Sequence, residues 1–203
     1  EGPVERRLSE VVGDRVVFVT GHPGEGKTHL VSRVEDVARQ RGAGIVKDAN
    51  TVAIGDLARQ VDDAVDRGVG LVVAINHGIL RELAEMRDVR ERDWACHVRD
   101  RLDHPLEYEA DRSGHDRVLV LPLNLRNALD PDIVSQTIDK VAGGFSGCEK
   151  CGSKGVFAWN ARMLMRPEVR RAVLDIMEVL RWRGHHATMR ELLALVSYLI
   201  MGG

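Results

Sequence analysis

The sequence predicts an α/β fold: a three-layer arrangement of a parallel sheet between helices, followed by a small C-terminal helical lid. Three observations predict it. Compact β-branched runs alternate with apolar residues at helical spacing through most of the chain. A glycine-rich turn stands directly between the first such run and the first long helix. After residue 155 the pattern is helical only. Strands that alternate with helices require a parallel sheet covered on both faces, because each crossover lays its helix on the sheet. The expected core is 1–143, and a cysteine-containing turn with the lid takes 144–203.

The elements follow in order. Residues 5–12 suit a short opening helix, and 15–20 form a buried strand between Asp14 and Gly21. From Thr28 onward, Leu30, Val31, Val34, Val37 and Ala38 recur at helical spacing up to Gly42. A second short strand is expected at 44–47, and a helix carrying Ile54, Leu57, Ala58, Val61, Ala64 and Val65 runs to Gly68. The third strand, 71–75, is the most apolar. A helix with Ile79, Leu80, Leu83 and Met86 inward comes next, then another over 94–102. The fourth strand is 118–121, running on to Asn124. A helix over 130–141 precedes a glycine- and cysteine-rich turn at 143–155, and three helices close the chain at 159–165, 167–182 and 189–200. Pro167 suits a first helical turn, where its missing N–H costs nothing. Thr188 with Glu191 reads as a capping box.

Composition bounds the function. A chain of 203 residues, 44% hydrophobic, can bury one fair-sized core or a core with a satellite lobe. The 29 Lys+Arg against 31 Asp+Glu give a net charge of -2, so no overall basic excess announces nucleic acid. No apolar run approaches the roughly 20 residues that span a bilayer. Three cysteines do not make a disulfide framework, which predicts a reducing, cytoplasmic setting. A start at Glu1 and an end directly after an apolar stretch lead us to expect a piece of a longer protein.

Gly21, His22, Pro23, Gly24, Glu25, Gly26, Lys27 and Thr28 fit G-x-x-x-x-G-K-[ST] at every fixed position, after a strand and at the start of a helix. Glycines there let successive N–H groups point into one concavity at the positive end of the helix, a nest for phosphate oxygens. Lys27 adds a charge toward the terminal phosphates, and the Thr28 hydroxyl is a Mg²⁺ ligand. The expectation is a P-loop core that binds ATP and Mg²⁺, with His29 beside the loop.

Hydrolysis usually needs carboxylates after a second core strand, one for the metal's water shell and one for the attacking water. Here the strand 71–75 is followed by Asn76 and His77. Asn76 can accept from a metal-bound water without charge. His77 is either a base, since imidazole titrates near neutrality, or merely caps the following helix or faces solvent. Asp48 either faces the crevice at the end of the second strand or is a turn residue, the reading we favour. Asn124, ending the fourth strand, is the candidate sensor of the γ-phosphate. Arg126 either reaches a neighbouring subunit's nucleotide or stays on the surface.

These residues resemble the AAA+/STAND group of P-loop ATPases, through the loop, the strand ending in Asn124 and the helical tail with Arg190 near the start of its last helix. The resemblance implies that Arg190 contacts the γ-phosphate as a second sensor. More narrowly, 24–30, 73–78, 123–127, the Cys148-x-x-Cys151 pair and Asn160 with Ala161 are similar to the DptF-type ATPases of bacterial phosphorothioation-dependent DNA restriction. That implies an oligomer, or a complex with other defence proteins. Relatives read Asn-Glu-Gly where this chain has Asn76, His77 and Gly78, and they carry further cysteines.

Cys148 and Cys151 have the spacing of half a zinc site, which Cys96, His97, His185 or His186 could complete only if the fold brings them close; a turn with two free thiols is the plainer reading. His22 packs on the nucleotide or is loop filler. Arg166, Arg170, Arg171, Arg181 and Arg183 form either a basic face for DNA or a solvated helix surface. The expected function is an ATP-driven module of DNA restriction, with a nucleotide-binding scaffold and a P-loop kinase as alternatives.

Overall fold

A computed structural model describes residues 3–104, 117–146 and 155–202. The chain divides into two compact units, Glu1–Asn124 and Leu125–Gly203. The first is an α/β unit whose four strands form one all-parallel sheet: β1 (Val16–Gly21), β2 (Gly44–Val46), β3 (Leu71–Asn76) and β4 (Val118–Pro122), in the order β2-β3-β1-β4.

Alternation along β1 and β3 sends neighbouring side chains to opposite faces. Val17, Val19, Val72 and Ala74 pack with α1 (Pro3–Val11) and α2 (Lys27–Gln40), through Leu8, Leu30, Val31 and Val34. Val16, Phe18, Val73 and Ile75 pack with α3 (Ile54–Arg67), α4 (His77–Glu85) and α5 (Asp93–Asp103), through Leu57, Val61, Leu80, Leu83 and Trp94. Both central strands are buried along nearly their whole length, which is why they read as continuous apolar runs. The Phe18 and Trp94 rings lie 6.3 Å apart, and the Trp94 Nε1–H donates to Asp62 Oδ1 at 2.8 Å.

The second unit contains α6 (Pro131–Ser146), α7 (Val156–Leu164), α8 (Pro167–Trp182) and α9 (Met189–Met201), around Val134, Ile138, Ala142, Ala161, Leu164, Met177, Leu192, Val196 and Ile200. Sequence reasoning sets the boundary at 143. Packing groups α6 with the later helices instead, because Val134, Ile138 and Ala142 lie on the face that meets them. The helix also runs through Gly143 and Gly144, where a turn is expected: two glycine penalties of about 1 kcal/mol each do not stop a helix already docked along its length. Thr188 and Glu191 form the expected capping box on α9, with Thr188 Oγ1 accepting the Glu191 N–H at 3.3 Å and Glu191 Oε2 accepting the Thr188 N–H at 2.8 Å. Among the described residues no helix is long and apolar enough to cross a membrane.

Candidate functional site

The carboxyl ends of β1, β3 and β4 meet because their register aligns them: Gly21 lies opposite Asn76, and Thr20 opposite Ile75 on one side and Pro122 on the other. The connection leaving β1 uses α2 on one face of the sheet, whereas the one leaving β3 uses α4 and α5 on the other. Adjacent parallel strands whose connections part in this way open a crevice at their carboxyl ends, the usual ligand position in such sheets. The glycine loop lies at this point.

Within the loop Gly21, Gly24 and Gly26 have φ of 150°, 94° and 85°, conformations that side-chain-bearing residues rarely adopt. Helix α2 begins at Lys27 with Gly26 at its N-cap and no side chain capping it, so its first-turn amides point back into the loop. The Lys27 ammonium donates to the carbonyls of Gly21 at 3.1 Å and His22 at 2.7 Å. Beneath the loop Glu25 is only 6% exposed, and its Oε2 accepts the His22 N–H at 2.9 Å. A Cβ on residue 21 would stand 2.0 Å from that oxygen and 3.3 Å from the Asn124 nitrogen, so a side chain there would strain the backbone and push the Glu25 carboxylate off the His22 amide.

Among the described residues, the buried side-chain polar atoms without a hydrogen-bond partner are Thr20 Oγ1, Glu25 Oε1, His77 Nδ1 and Asn124 Oδ1. Thr20 lies in β1 and Glu25 in the glycine loop, whereas His77 opens α4 directly after β3 and Asn124 sits in a 3-10 turn just beyond β4 rather than at the strand's own end. Each such atom costs about 1–3 kcal/mol when left unpaired. Their concentration around the carboxyl ends of the strands, with none elsewhere among the described residues, makes this end of the sheet the candidate site.

The expected site residues sort accordingly. His77 opens α4, and burial is the largest cause of its lowered pKa, helped by the charges of Arg81 and His22 and opposed by Asp103. It is a neutral imidazole near pH 7. The Asn76 Nδ2 donates to Asn50 Oδ1 at 3.1 Å. Asp48 is a turn residue, with its Oδ1 accepting the Asn50 N–H at 3.0 Å to start a short 3-10 turn. The Thr28 hydroxyl donates to the Lys47 carbonyl at 3.3 Å. His22, Pro23 and His29 are exposed, as are Arg126 and Arg190.

The chain matches no family model, no curated protein and no solved structure.

Cys148 and Cys151 lie outside the described residues. Cys96 is exposed, donates to the Arg90 carbonyl at 3.6 Å and accepts from Arg99 Nη2 at 3.2 Å. No group of three His, Cys, Asp or Glu able to hold a metal occurs among the described residues. Of the five arginines expected to face DNA or solvent, Arg170 pairs with Asp139 through both its Nη atoms at 2.7 Å, and Arg181 with Asp130 at 3.2 Å. Arg166, Arg171 and Arg183 are exposed. Asn127, expected only as part of a family-like stretch, ties two segments of the helical unit together. Its Oδ1 accepts from the Leu129 and Ala187 N–H groups at 3.0 and 3.2 Å, and its Nδ2 donates to the His185 carbonyl at 2.8 Å.

Sequence reasoning missed Thr20 altogether. The last residue of a buried strand before a glycine loop points either into the sheet's crevice or into its core, and its hydroxyl was the signal to weigh.

Proposed function

We propose that this chain binds a nucleoside triphosphate, ATP with Mg²⁺, on Gly21–Thr28, and that it is a P-loop protein acting as a nucleotide-driven motor or switch. The observation that carries the reading is the position of Lys27, tied to the carbonyls of Gly21 and His22 across a loop whose glycines take positive φ and lead directly into the uncapped start of α2. An ammonium fixed beside a nest of N–H groups is complementary to a triphosphate tail. The orphaned atoms of Thr20, His77 and Asn124 fit the same ligand, since γ-phosphate oxygens and the attacking water supply donors and acceptors at the strand ends. Thr28 would hold the Mg²⁺, which draws charge from the phosphates, and Asn76 stands where a metal-site carboxylate is usual. Neutral His77 is suited to take a proton from water, and Asn124 to sense the γ-phosphate.

A second reading, binding without hydrolysis, is favoured by the Asn76 side chain, which carries no charge and is engaged by Asn50. Phosphate release by the wild type, Lys27→Ala and His77→Ala separates the two. Turnover lost in both variants supports hydrolysis with His77 as base. ATP binding with no turnover in the wild type supports the scaffold.

The AAA+/STAND resemblance, Arg190 as a second sensor, assembly into an oligomer or defence complex, DNA contact and zinc at Cys148 and Cys151 rest on sequence stretches alone. A role in restriction predicts that cells lacking the protein accept unmodified plasmid more readily; unchanged transformation would reject it.

A further inference from the structure

Two side chains of the loop hold one peptide group from opposite sides. The carbonyl of Gly21 and the N–H of His22 belong to the same peptide plane, and in a trans peptide they point in opposite directions. That carbonyl accepts from Lys27 Nζ at 3.1 Å, while that N–H donates to Glu25 Oε2 at 2.9 Å. Fixing the N–H on Glu25 therefore aims the carbonyl at the ammonium. The restraint matters because Gly21, at φ 150°, is a residue about which the plane turns with little steric cost.

We propose that Glu25 is a positioning residue for Lys27: through the Gly21–His22 peptide it sets the ammonium across the loop before a nucleotide arrives. The proposal rests on the reading of Gly21–Thr28 as a triphosphate site and adds to it a residue that need not touch the ligand. Packing alone gives no reason for a carboxylate here. Glu25 is 6% exposed, one of its oxygens has no partner, and its charge opposes an incoming phosphate. What it contributes is a strong, directional acceptor for one amide. A loop preset in this way binds without first ordering its lysine, the cost that preorganisation removes.

The test titrates a fluorescent ATP analogue with Mg²⁺ into the wild type, Glu25→Gln, Glu25→Asp, Lys27→Ala and the Glu25→Asp, Lys27→Ala double variant, with a thermal melt of each. Gln keeps the reach and the acceptor oxygen but not the charge, and loses about threefold in affinity. Asp keeps the charge but falls one methylene short of the His22 amide, and loses about tenfold. In the Lys27→Ala background the Asp change costs less than about twofold, because the residue it positions is gone. The proposal is overturned if Asp binds as tightly as the wild type, if Gln is as weak as Asp, or if the Asp penalty is the same in both backgrounds. Gln against Asp decides the matter even where Lys27→Ala binds too weakly to measure. A wild type that binds no nucleotide removes the underlying reading and this proposal with it, whereas tight wild-type binding with an indifferent Glu25→Asp removes this proposal alone.

Discussion

In the α/β unit large apolar side chains are hidden almost without exception, Val69 being the exposed one among the described residues, and the atoms out of place are polar: Thr20 Oγ1, Glu25 Oε1, His77 Nδ1 and Asn124 Oδ1, buried without partners. In the helical unit the pattern is reversed. No buried side-chain polar atom among its described residues lacks a partner, while Val156, Trp159, Ile176, Val179, Trp182 and Tyr198 stand exposed. The two departures have different consequences. A buried unpaired polar atom takes free energy from the fold itself, and a ligand can return it. An exposed apolar side chain takes little from the fold and acts on what the surface meets. The first unit thus departs from ideal burial around the glycine loop and strand ends, and the second at its surface.

The largest expected effect contrasts the units directly. Phe18→Ala, in the fully buried middle of β1, should cost about 3–5 kcal/mol in denaturant unfolding, whereas Trp182→Ala, at a side chain 76% exposed, should stay within about 0.5 kcal/mol. Comparable losses would mean that the exposed stretches of α8 carry stability after all. Next, Asn127→Ala should cost about 1–3 kcal/mol, since it leaves two backbone N–H groups and one carbonyl short of a partner in the helical unit.

Thr20→Val, by contrast, removes an orphaned hydroxyl at nearly constant shape and should raise stability by about 1 kcal/mol. The same change should weaken nucleotide binding if the hydroxyl serves a ligand. A destabilised Thr20→Val would show that the hydroxyl is satisfied in the fold.

The smallest effect concerns pH. His77 is held below its ordinary pKa of about 6.5 chiefly by burial, so the unfolded chain takes up the proton first as the solution is acidified. Its contribution is complete above about pH 6.5 and is lost as pH falls through the lowered folded value. Wild-type stability should therefore fall faster than that of His77→Leu between neutral pH and pH 5, seen in melts at matched ionic strength. Parallel curves would place His77 in solvent, one of the plainer alternatives to a base.

The fold was legible where burial and local chemistry agree. Val16 to Thr20 and Leu71 to Ile75 announce themselves because strands buried on both faces must be apolar throughout, and the last helix begins at Thr188 because its cap is written in two residues. What sequence spacing does not carry is direction across space. Nothing in the chain order says that β3 lies between β2 and β1, which is what brings Asn76 and His77 beside the loop. Nothing in G-x-x-x-x-G-K-T says that Glu25 turns under the backbone rather than out to solvent; that follows from the space left by Gly21. The end of α6 was misread because Gly143 and Gly144 look like a stop, while the docking of Val134, Ile138 and Ala142 is a tertiary matter.

Whether the loop Gly21–Thr28 receives a triphosphate through Lys27 is decided by calorimetric titration of ATP with Mg²⁺ into the wild type and Lys27→Ala. Saturable binding near one nucleotide per chain is expected in the wild type, weakened at least about a hundredfold in the variant. No heat of binding in the folded wild type, or equal affinity in the two proteins, would contradict that reading.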